Sequence, residues 1–482
     1  VVAFGHDGYL TNDLSSTADT QRFLGNVVRW AVSGKPNARV AVVGINGLAT
    51  RLQAMGFAAT NIAFGAFAGY DLVIPNMGIS RTRAESDLLL TYVRDGGGVV
   101  AGMTGWGWAQ INSSLSLAED FSGNWLMSAA GIVWANPTLS QTSTLGYSVP
   151  RMPPDLTHAQ RALDALTATG RVLTDSERTQ INVTLTVALS AIPSSDTSFI
   201  PAVNAALQFP GVQKTPTPQT PVTVSNVLGR LAVSNDFLRM SKAAPAQVTV
   251  HPSAATFPGV VPATALRVSR AVPIRTARPR WHSTGLYAPP GEVITVRVPT
   301  AAVGRSFAVR IGAHSDRLWS LDTWRRFPEI SIRTLLTAAE TQVASAFGGL
   351  IYIEVPAATT VADFSAEISG GVLAPRFVKG ETTLQEWRDT VRNHPAPWGE
   401  LETSKMIVTT QTTALRTLDD PSAVADAWDR VLGRFGAFEQ QQTVTAGGGL
   451  QPDPAVADHR RGAGQCVAQG FAVAEHLANG HL

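Results

Sequence analysis

Short apolar runs recur through the first 150 positions, separated by stretches with helical spacing. Val1–Gly5, Arg39–Gly44, Asn61–Gly65, Leu72–Met77 and Val99–Met103 are continuous enough to read as buried strands. Between them Thr17–Val32, Gly47–Met55 and Arg81–Arg94 place apolar residues three and four apart; Phe23, Val27, Trp30 and Ala31, for example, share one face. Strands that alternate with helices predict a parallel sheet with crossover helices over residues 1–150. In such a sheet, ligands bind beyond the carboxyl ends of the strands.

The pattern then changes twice. Pro150, Pro153 and Pro154 mark a break. The next segment, 151–242, reads as a helical insert or spacer, with helices over Asp155–Thr167, Asp175–Ile192 and Pro201–Gln208 and an extended linker at Thr215–Pro221. From Gln247 the spacing is that of strands: Gln247–His251, Ala265–Ser269, Glu292–Val298, Ser306–Ile311, Glu329–Ile332, Leu350–Val355 and Ala366–Ile368, divided by Pro and Gly turns. That density of short strands predicts a β-sandwich over 243–375. Helices return at Leu384–Val391 and Pro421–Phe438 around a strand at Met406–Thr410, so 376–482 reads as the start of a mixed α/β domain. The predicted class is therefore α/β plus β.

Composition narrows the function. At roughly 100–200 residues per domain, 482 residues make about three domains. Only 15% of residues are charged, which excludes a disordered chain, and a net charge of +2 argues against a dedicated nucleic-acid binder. A single cysteine, Cys466, excludes a disulfide framework and a Cys-rich zinc cluster. No apolar run reaches the ~18–20 residues of a membrane span, so no transmembrane segment is expected. The first residue is Val1 rather than Met, which reads as a removed leader or a fragment.

The strand-end loops of the first region are Gly5-His6-Asp7-Gly8, Gly44-Ile45-Asn46-Gly47 and Gly102-Met103-Thr104-Gly105-Trp106-Gly107-Trp108. None is a P-loop, and none has dinucleotide-binding spacing. A glutaminase or hydrolase here needs a nucleophile on a sharp strand-to-helix turn, but the region has no Cys and Thr104 has no base beside it in sequence. His6 and Asp7 either form a base and its orienting partner or stabilise a turn. Trp106, Trp108 and Trp125 either stack on a sugar or pack around the Gly-rich turn.

Further along, an ordered series of motifs carries a resemblance. Trp281-His282-Ser283-Thr284-Gly285-Leu286-Tyr287-Ala288-Pro289-Pro290-Gly291-Glu292 precedes Arg310-Ile311-Gly312-Ala313-His314-Ser315-Asp316 and Arg326-Phe327-Pro328. Gly348-Gly349-Leu350-Ile351-Tyr352-Ile353 and Ala396-Pro397-Trp398-Gly399-Glu400-Leu401 follow. The series resembles the enhancin-like metallopeptidases of the peptidase M-sixty family, which cleave mucins and other O-glycosylated proteins. Phe4-Gly5-His6-Asp7, Gly96-Gly97-Gly98, Trp106-Gly107-Trp108-Ala109-Gln110 and Gly123-Asn124 resemble the amidotransferase-like domain of TRPM-channel-associated factors and their bacterial relatives. That domain lacks a working glutaminase site in the family, in line with the missing cysteine.

The resemblance implies zinc-assisted peptide hydrolysis on a gluzincin-type peptidase domain, which needs a His-Glu-x-x-His helix and a further carboxylate. None of the nine histidines begins such a series, and His476 and His481, five apart, fall on different helix faces. The segment Gly470–Leu477 resembles the one that precedes the family's zinc helix, with Ala472 where proline is usual. The expectation is that the chain stops before the zinc motif, that zinc belongs to the complete family member, and that this chain binds none and has no peptidase activity. An incomplete domain would leave Trp428, Val431 and Leu432 exposed, with low stability beyond about residue 380.

Among the motif residues, His314 and Asp316 read as a metal pair or, lacking a third ligand, as structural groups, with Asp316 and Arg326 fixing loops by charge-assisted hydrogen bonds. Trp281, Tyr287, Trp319 and Trp324 form a sugar-stacking platform or pack the core. Trp106, Trp108, Trp319 and Trp324 are the candidates for glycan or partner contact. Gly348, Gly349, Trp398 and Glu400 belong to motifs that shape the fold or a cleft floor. Cys466 is either activated by His459, Arg460 and Arg461 or incidental. The implied partner is an O-glycosylated protein or glycan, in a secreted or cell-surface setting. The alternative is a non-catalytic glycan- or protein-binding factor.

Overall fold

The structure, a computed structural model, describes residues 1–11, 19–112, 115–138, 154–445 and 466–469. It divides into two compact units, Val1–Lys214 with Thr223–Leu238, and Thr215–Val222 with Arg239–Leu482.

The first unit is built on a five-stranded, all-parallel sheet of β1 (Val2–Phe4), β2 (Arg39–Val43), β3 (Ala58–Asn61), β4 (Leu72–Pro75) and β5 (Gly98–Gly102), in the order β1-β5-β4-β2-β3. The near-continuous apolar runs follow from burial on both faces. Val40, Val42, Leu72 and Val100 face one core, and Ala41, Val43, Val73, Val99 and Ala101 face the other. Helices Thr20–Ala31 and Leu48–Ala54 cover the first face, and Arg83–Arg94 the second. Arg83–Arg94 begins with a capping box in which the Thr82 hydroxyl accepts from the Glu85 amide and the Glu85 carboxylate accepts from the Thr82 amide. The sequence expectation placed the third strand at Asn61–Gly65. It ends at Asn61, because the register partner of Asn61, Val42, lies near the end of β2.

Helices Ala159–Thr167, Asp175–Ala191, Phe199–Ala206 and Val227–Lys242 share a core of their own around Leu163, Leu185, Val203 and Leu231. Buried Asn124 sits where several segments of this unit meet. Its amide donates to the carbonyls of Leu117, Trp134 and Ala191 at 3.0, 2.9 and 3.1 Å, and its oxygen accepts from the Trp134 amide at 2.8 Å.

After two-residue strands β6 (Val222–Thr223) and β11 (Thr323–Trp324) are set aside, the second unit is a β-sandwich joined to a smaller mixed sheet. Its sandwich strands are β7 (Val268–Ile274), β8 (Arg280–Ala288), β9 (Val293–Arg297), β10 (Ala308–Ile311), β12 (Ile332–Leu335), β13 (Glu340–Ala344), β14 (Gly349–Val355) and β15 (Phe364–Leu373). β15 belongs to both layers. Phe364–Ser369 pairs with β7 and β9, then a bulge at Ser369/Gly371 turns the strand so that Val372 and Leu373 pair with β8. The core between the layers holds Ile274, Leu286, Ile294, Val296, Ile311, Ile351, Ile353 and Ile368.

Three strand expectations shift. Gln247–His251 is a 3₁₀ turn at Pro245–Gln247 and a connecting segment in which buried His251 accepts through Nδ1 from the Ser253 amide. Ala265–Ser269 becomes Val268–Ile274, and Glu329–Ile332 becomes Ile332–Leu335. The alternation was read a few residues early in each case, where Pro262 and Pro328 precede the true start.

The smaller sheet has the order β16 (Arg376–Val378), β17 (Trp398–Glu402), β18 (Met406–Gln411) and β19 (Cys466–Gln469). Helices Leu384–Asp389 and Thr412–Arg416 and the long helix Pro421–Thr445 accompany it. Its core is Phe377, Trp387, Leu401, Met406, Val408 and Leu415. Trp428 and Leu432 pack against that core, contrary to the exposure expected of them, whereas Val431 is 41% exposed.

Candidate functional site

The motif residues of the second unit converge from five separate segments. β14 is buried along its whole length because Ile351, Ile353 and Val355 face the sandwich core while Leu350, Tyr352 and Glu354 face outward, under β17 and its loop. Strand alternation thus forces a polar row on the covered outer face. Register places Arg333, Arg310, Tyr352 and Ser283 side by side across β12, β10, β14 and β8.

Into this row β17 inserts Glu400, 1% exposed. The Tyr352 hydroxyl donates to one carboxyl oxygen at 2.6 Å and the Ser283 hydroxyl to the other. Burial pushes the carboxyl of Glu400 up to about 7 against the pull of these two donors, with the neighbouring Glu402 charge raising it further. The Tyr352 phenol is held well above its ordinary value, first by burial and then by the charge of Glu400. Beside it Glu354 accepts from Arg310 and from Arg333, the latter at 2.5 Å, and the Arg310 guanidinium lies 4.7 Å from the centre of the Trp281 ring, which itself packs on Tyr352 at 5.0 Å.

A second group of motif residues grips the segment Phe257–Gly259. The Tyr287 hydroxyl donates to the Gly259 carbonyl at 3.2 Å and the Trp398 indole to the Pro258 carbonyl at 2.7 Å. His314 stands edge-on to Phe257 and Trp398, with centroids 4.8 and 4.6 Å apart. Burial, with the Arg326 charge adding, lowers the His314 imidazole to about 4. Arg326 pairs with Asp316 and lies over the Phe257 ring at 5.3 Å. Gly348 and Gly349 make this closeness possible. A Cβ on Gly348 would stand 2.4 Å from the Ala288 carbonyl and one on Gly349 2.6 Å from the Gly312 Cα, and both have positive φ. A cavity of about 10 Å³, room for one water, remains between His314, Trp398, Tyr287, Pro258 and the two glycines.

Trp319 and Trp324 stand apart from these groups. Trp324 is 2% exposed and meets Trp319 edge-to-face at 5.3 Å, while the Trp319 indole donates to Glu329 at 2.9 Å. In the first unit Trp108 is buried against Phe121, and Trp106 is 44% exposed. The Thr104 hydroxyl donates to Asp7 at 2.8 Å, and the His6 Nδ1 accepts from the Gly8 amide at 2.9 Å. Thr104 is thus tied to a carboxylate rather than to an imidazole, and its backbone (φ −99°, ψ 97°) is not the strained elbow on which a nucleophile is presented. The first unit has an open parallel sheet that presents no such elbow at Thr104.

The described residues do not fit zinc. Among the described residues no three His, Cys, Asp or Glu side chains converge as ligands. His314 is enclosed by rings, Asp316 is committed to Arg326, and His282 and His394 bond to the carbonyls of Arg278 and Ala374. His459, His476 and His481, and the surroundings of the Cys466 thiol, lie outside the described residues.

Sequence reasoning found the motif residues but not what they surround. Phe257–Gly259 carried no periodicity signal; only its aromatic-Pro-Gly order hinted at a fixed turn.

A parallel α/β unit, a β-sandwich and a mixed sheet pinned to it by motif residues define a multidomain chain of the α/β plus β class. Comparison with known families makes this specific. Residues 263–369 match the N-terminal domain of M60-like peptidases, and 370–481 match peptidase M60, enhancin and enhancin-like. Residues 1–150 match a family model described as TRPM8, N-terminal domain. Together the three models account for residues 1–150 and 263–481 of the chain. It is 26% identical over 450 residues to a TRPM8 channel-associated factor homolog of Danio rerio, covering 90% of this chain and 47% of that protein. It is 38% identical over 160 residues to TRPM8 channel-associated factor 1 of Homo sapiens, 33% of this chain and 17% of that one. The chain spans about half the length, or less, of the curated relatives it matches. Among solved structures it resembles the IMPa metallopeptidase from Pseudomonas aeruginosa, at 16% identity and a TM-score of 0.43 over 89% of this chain and 53% of that one. No helix among the described residues is long and apolar enough to cross a membrane.

Proposed function

We propose that this chain serves scaffolding and recognition in the manner of an enhancin-like M60 protein, engaging O-glycosylated protein outside the cell or at its surface, and that residues 1–482 do not cleave peptide bonds by themselves. One observation carries the reading: two consecutive M60 matches span 263–481, yet the sequence holds no His-Glu-x-x-His series with which to bind a catalytic zinc. The test is incubation of the purified chain with an O-glycosylated mucin and added zinc. Binding without cleavage is expected; turnover that a chelator abolishes would overturn the reading.

A second reading is a non-catalytic binding factor, favoured by the resemblance to TRPM8 channel-associated factors over 90% of the chain. Trp106, exposed in the first unit, and Trp319 are its candidate contacts. Trp108 and Trp324 are buried, so substituting them reports on packing.

A further inference from the structure

In a chain whose net charge is only +2, the segment 267–280 holds five arginines and no acidic residue. Arg267 is paired with Glu292 at 2.5 Å. Arg270 and Arg278 have no ion pair or side-chain hydrogen bond among the described residues. Arg270 faces Arg376 across Gly285, and His282 bonds to the Arg278 carbonyl at 2.8 Å. A Cβ placed on Gly285 would stand 2.9 Å from the Arg270 guanidinium and 3.3 Å from the Arg376 side chain, so the missing side chain is what lets two like charges share this place.

Arg376 pairs with Glu402 at 2.7 Å and also acts on buried Glu400. The sum over Arg270, Arg278, Arg376 and Glu402 is therefore positive by two. Two histidines register the excess. His282 is held below its ordinary value, first by burial, with Arg278 and Arg376 adding against Glu402 and the Arg278 carbonyl. His394 is lowered likewise, first by burial and also by Arg270, against the Ala374 carbonyl. Arg270 itself is lowered by partial burial and by Arg376. Arg270 and Arg278 are both exposed, and arginine's planar fork suits a two-oxygen partner.

We propose that Arg270, Arg278 and Arg376 form an oxyanion-binding site that takes a carboxylate or sulfate ester carried by an acidic glycan. The oxyanion chemistry stands on the arginines; the glycan as its carrier rests on the function proposed above.

The experiment uses the full 482-residue chain and four probes: a neutral O-glycopeptide, its sialylated form, its sulfated form, and inorganic sulfate. Affinity for the acidic forms is expected to exceed that for the neutral one by about tenfold, the effect of one charge-assisted pair, and to shrink with salt. Arg270→Gln and Arg278→Gln should each remove most of the preference without changing neutral binding. Arg270→Lys should keep part of it, and Arg297→Gln, which breaks an exposed pair with Glu340, should keep all of it. Whichever acidic form binds tighter names the group. Unchanged thermal midpoints show that the variants fold.

Equal affinity for acidic and neutral forms, or a preference that survives Arg270→Gln, overturns the site and leaves the proposed function standing. A sulfate-induced rise in thermal midpoint that Arg270→Gln abolishes, with no glycopeptide bound, overturns the glycan as the carrier and the proposed function with it.

Discussion

Each unit places a carboxylate at the end of a hydroxyl, and the two arrangements differ in almost everything else. In the first, Asp7 accepts from Thr104 at the open carboxyl end of a parallel sheet, with its side chain 52% exposed. In the second, Glu400 accepts from Ser283 and Tyr352 between two sheets, 1% exposed. Water competes for every bond Asp7 makes, so Thr104 adds little. No water reaches Glu400, so its two donors decide whether β17 can lie on the sandwich at all. The open site has the position of a reactive centre and none of its chemistry, and the closed one has perturbed chemistry and a structural task. A shifted carboxyl is thus no sign of catalysis here.

The largest break in that comparison is Glu400→Ala. It leaves two buried hydroxyls without an acceptor and a void beneath β17, and the second unit should lose about 3–5 kcal/mol. Urea unfolding followed by tryptophan fluorescence reads this as an earlier transition of that unit alone. A loss under about 1 kcal/mol would show that Glu400 is solvated in solution.

The next effect is on pH dependence. Between the ordinary carboxyl value and about 7, folded Glu400 keeps a proton that the unfolded chain has released. Stability must therefore fall as pH rises through that window, by about 3 kcal/mol at most, and level off above it. His314 works in the opposite direction. Its folded value near 4 lies below that of the unfolded chain, so its contribution is complete above about 6.5 and is lost as pH falls toward 4. Glu400→Gln should flatten the neutral limb of the stability profile and His314→Phe the acid limb. If both variants keep the wild-type profile, neither group is buried as described.

Some of this was legible in the sequence. Four of the five parallel strands were, because strands buried on both faces give unbroken runs such as Val40–Val43 and Leu72–Pro75, while the third, mostly exposed at Ala58–Asn61, gives no such run. β8 was visible as a motif but not as a strand: its residues are buried from Ser283 to Ala288, and polar Ser283 and Thr284 break any alternation. β13 and β17 were missed for the related reason that polar side chains sit at positions a period-2 pattern reserves for apolar ones. The candidate site was half legible. The order of motifs identified which residues matter, and Glu400 was taken as shaping a cleft. Yet its contact with Ser283 spans 117 residues and that of Trp398 with Pro258 spans 140, and one sequence contains no signal for pairings of that range. The arginines of 267–280 were visible throughout, but which of them have an ion pair among the described residues becomes apparent only once Glu292 is placed beside Arg267.

The smallest effect sharpens the comparison from its other side. Thr104→Val removes the hydroxyl that Asp7 accepts from, keeps the side chain's shape, and touches a site where water can replace the lost bond. The expected loss is about 0.5–1 kcal/mol, seen as a small shift in the first unit's transition alone. Thr104→Cys sets the harder condition. It supplies the thiol an amidotransferase uses, on the same sheet and at the same strand end. The neighbouring acceptor is still Asp7, and His6 still spends its Nδ1 on the Gly8 amide. A carboxylate beside a thiol opposes the thiolate, and the extended backbone at position 104 does not present it as an elbow would. The variant should release no ammonia from glutamine and should react slowly with iodoacetamide. Measurable glutaminase activity would mean that the open site lacks only its nucleophile, and that the contrast with Glu400 is one of a single side chain rather than of geometry.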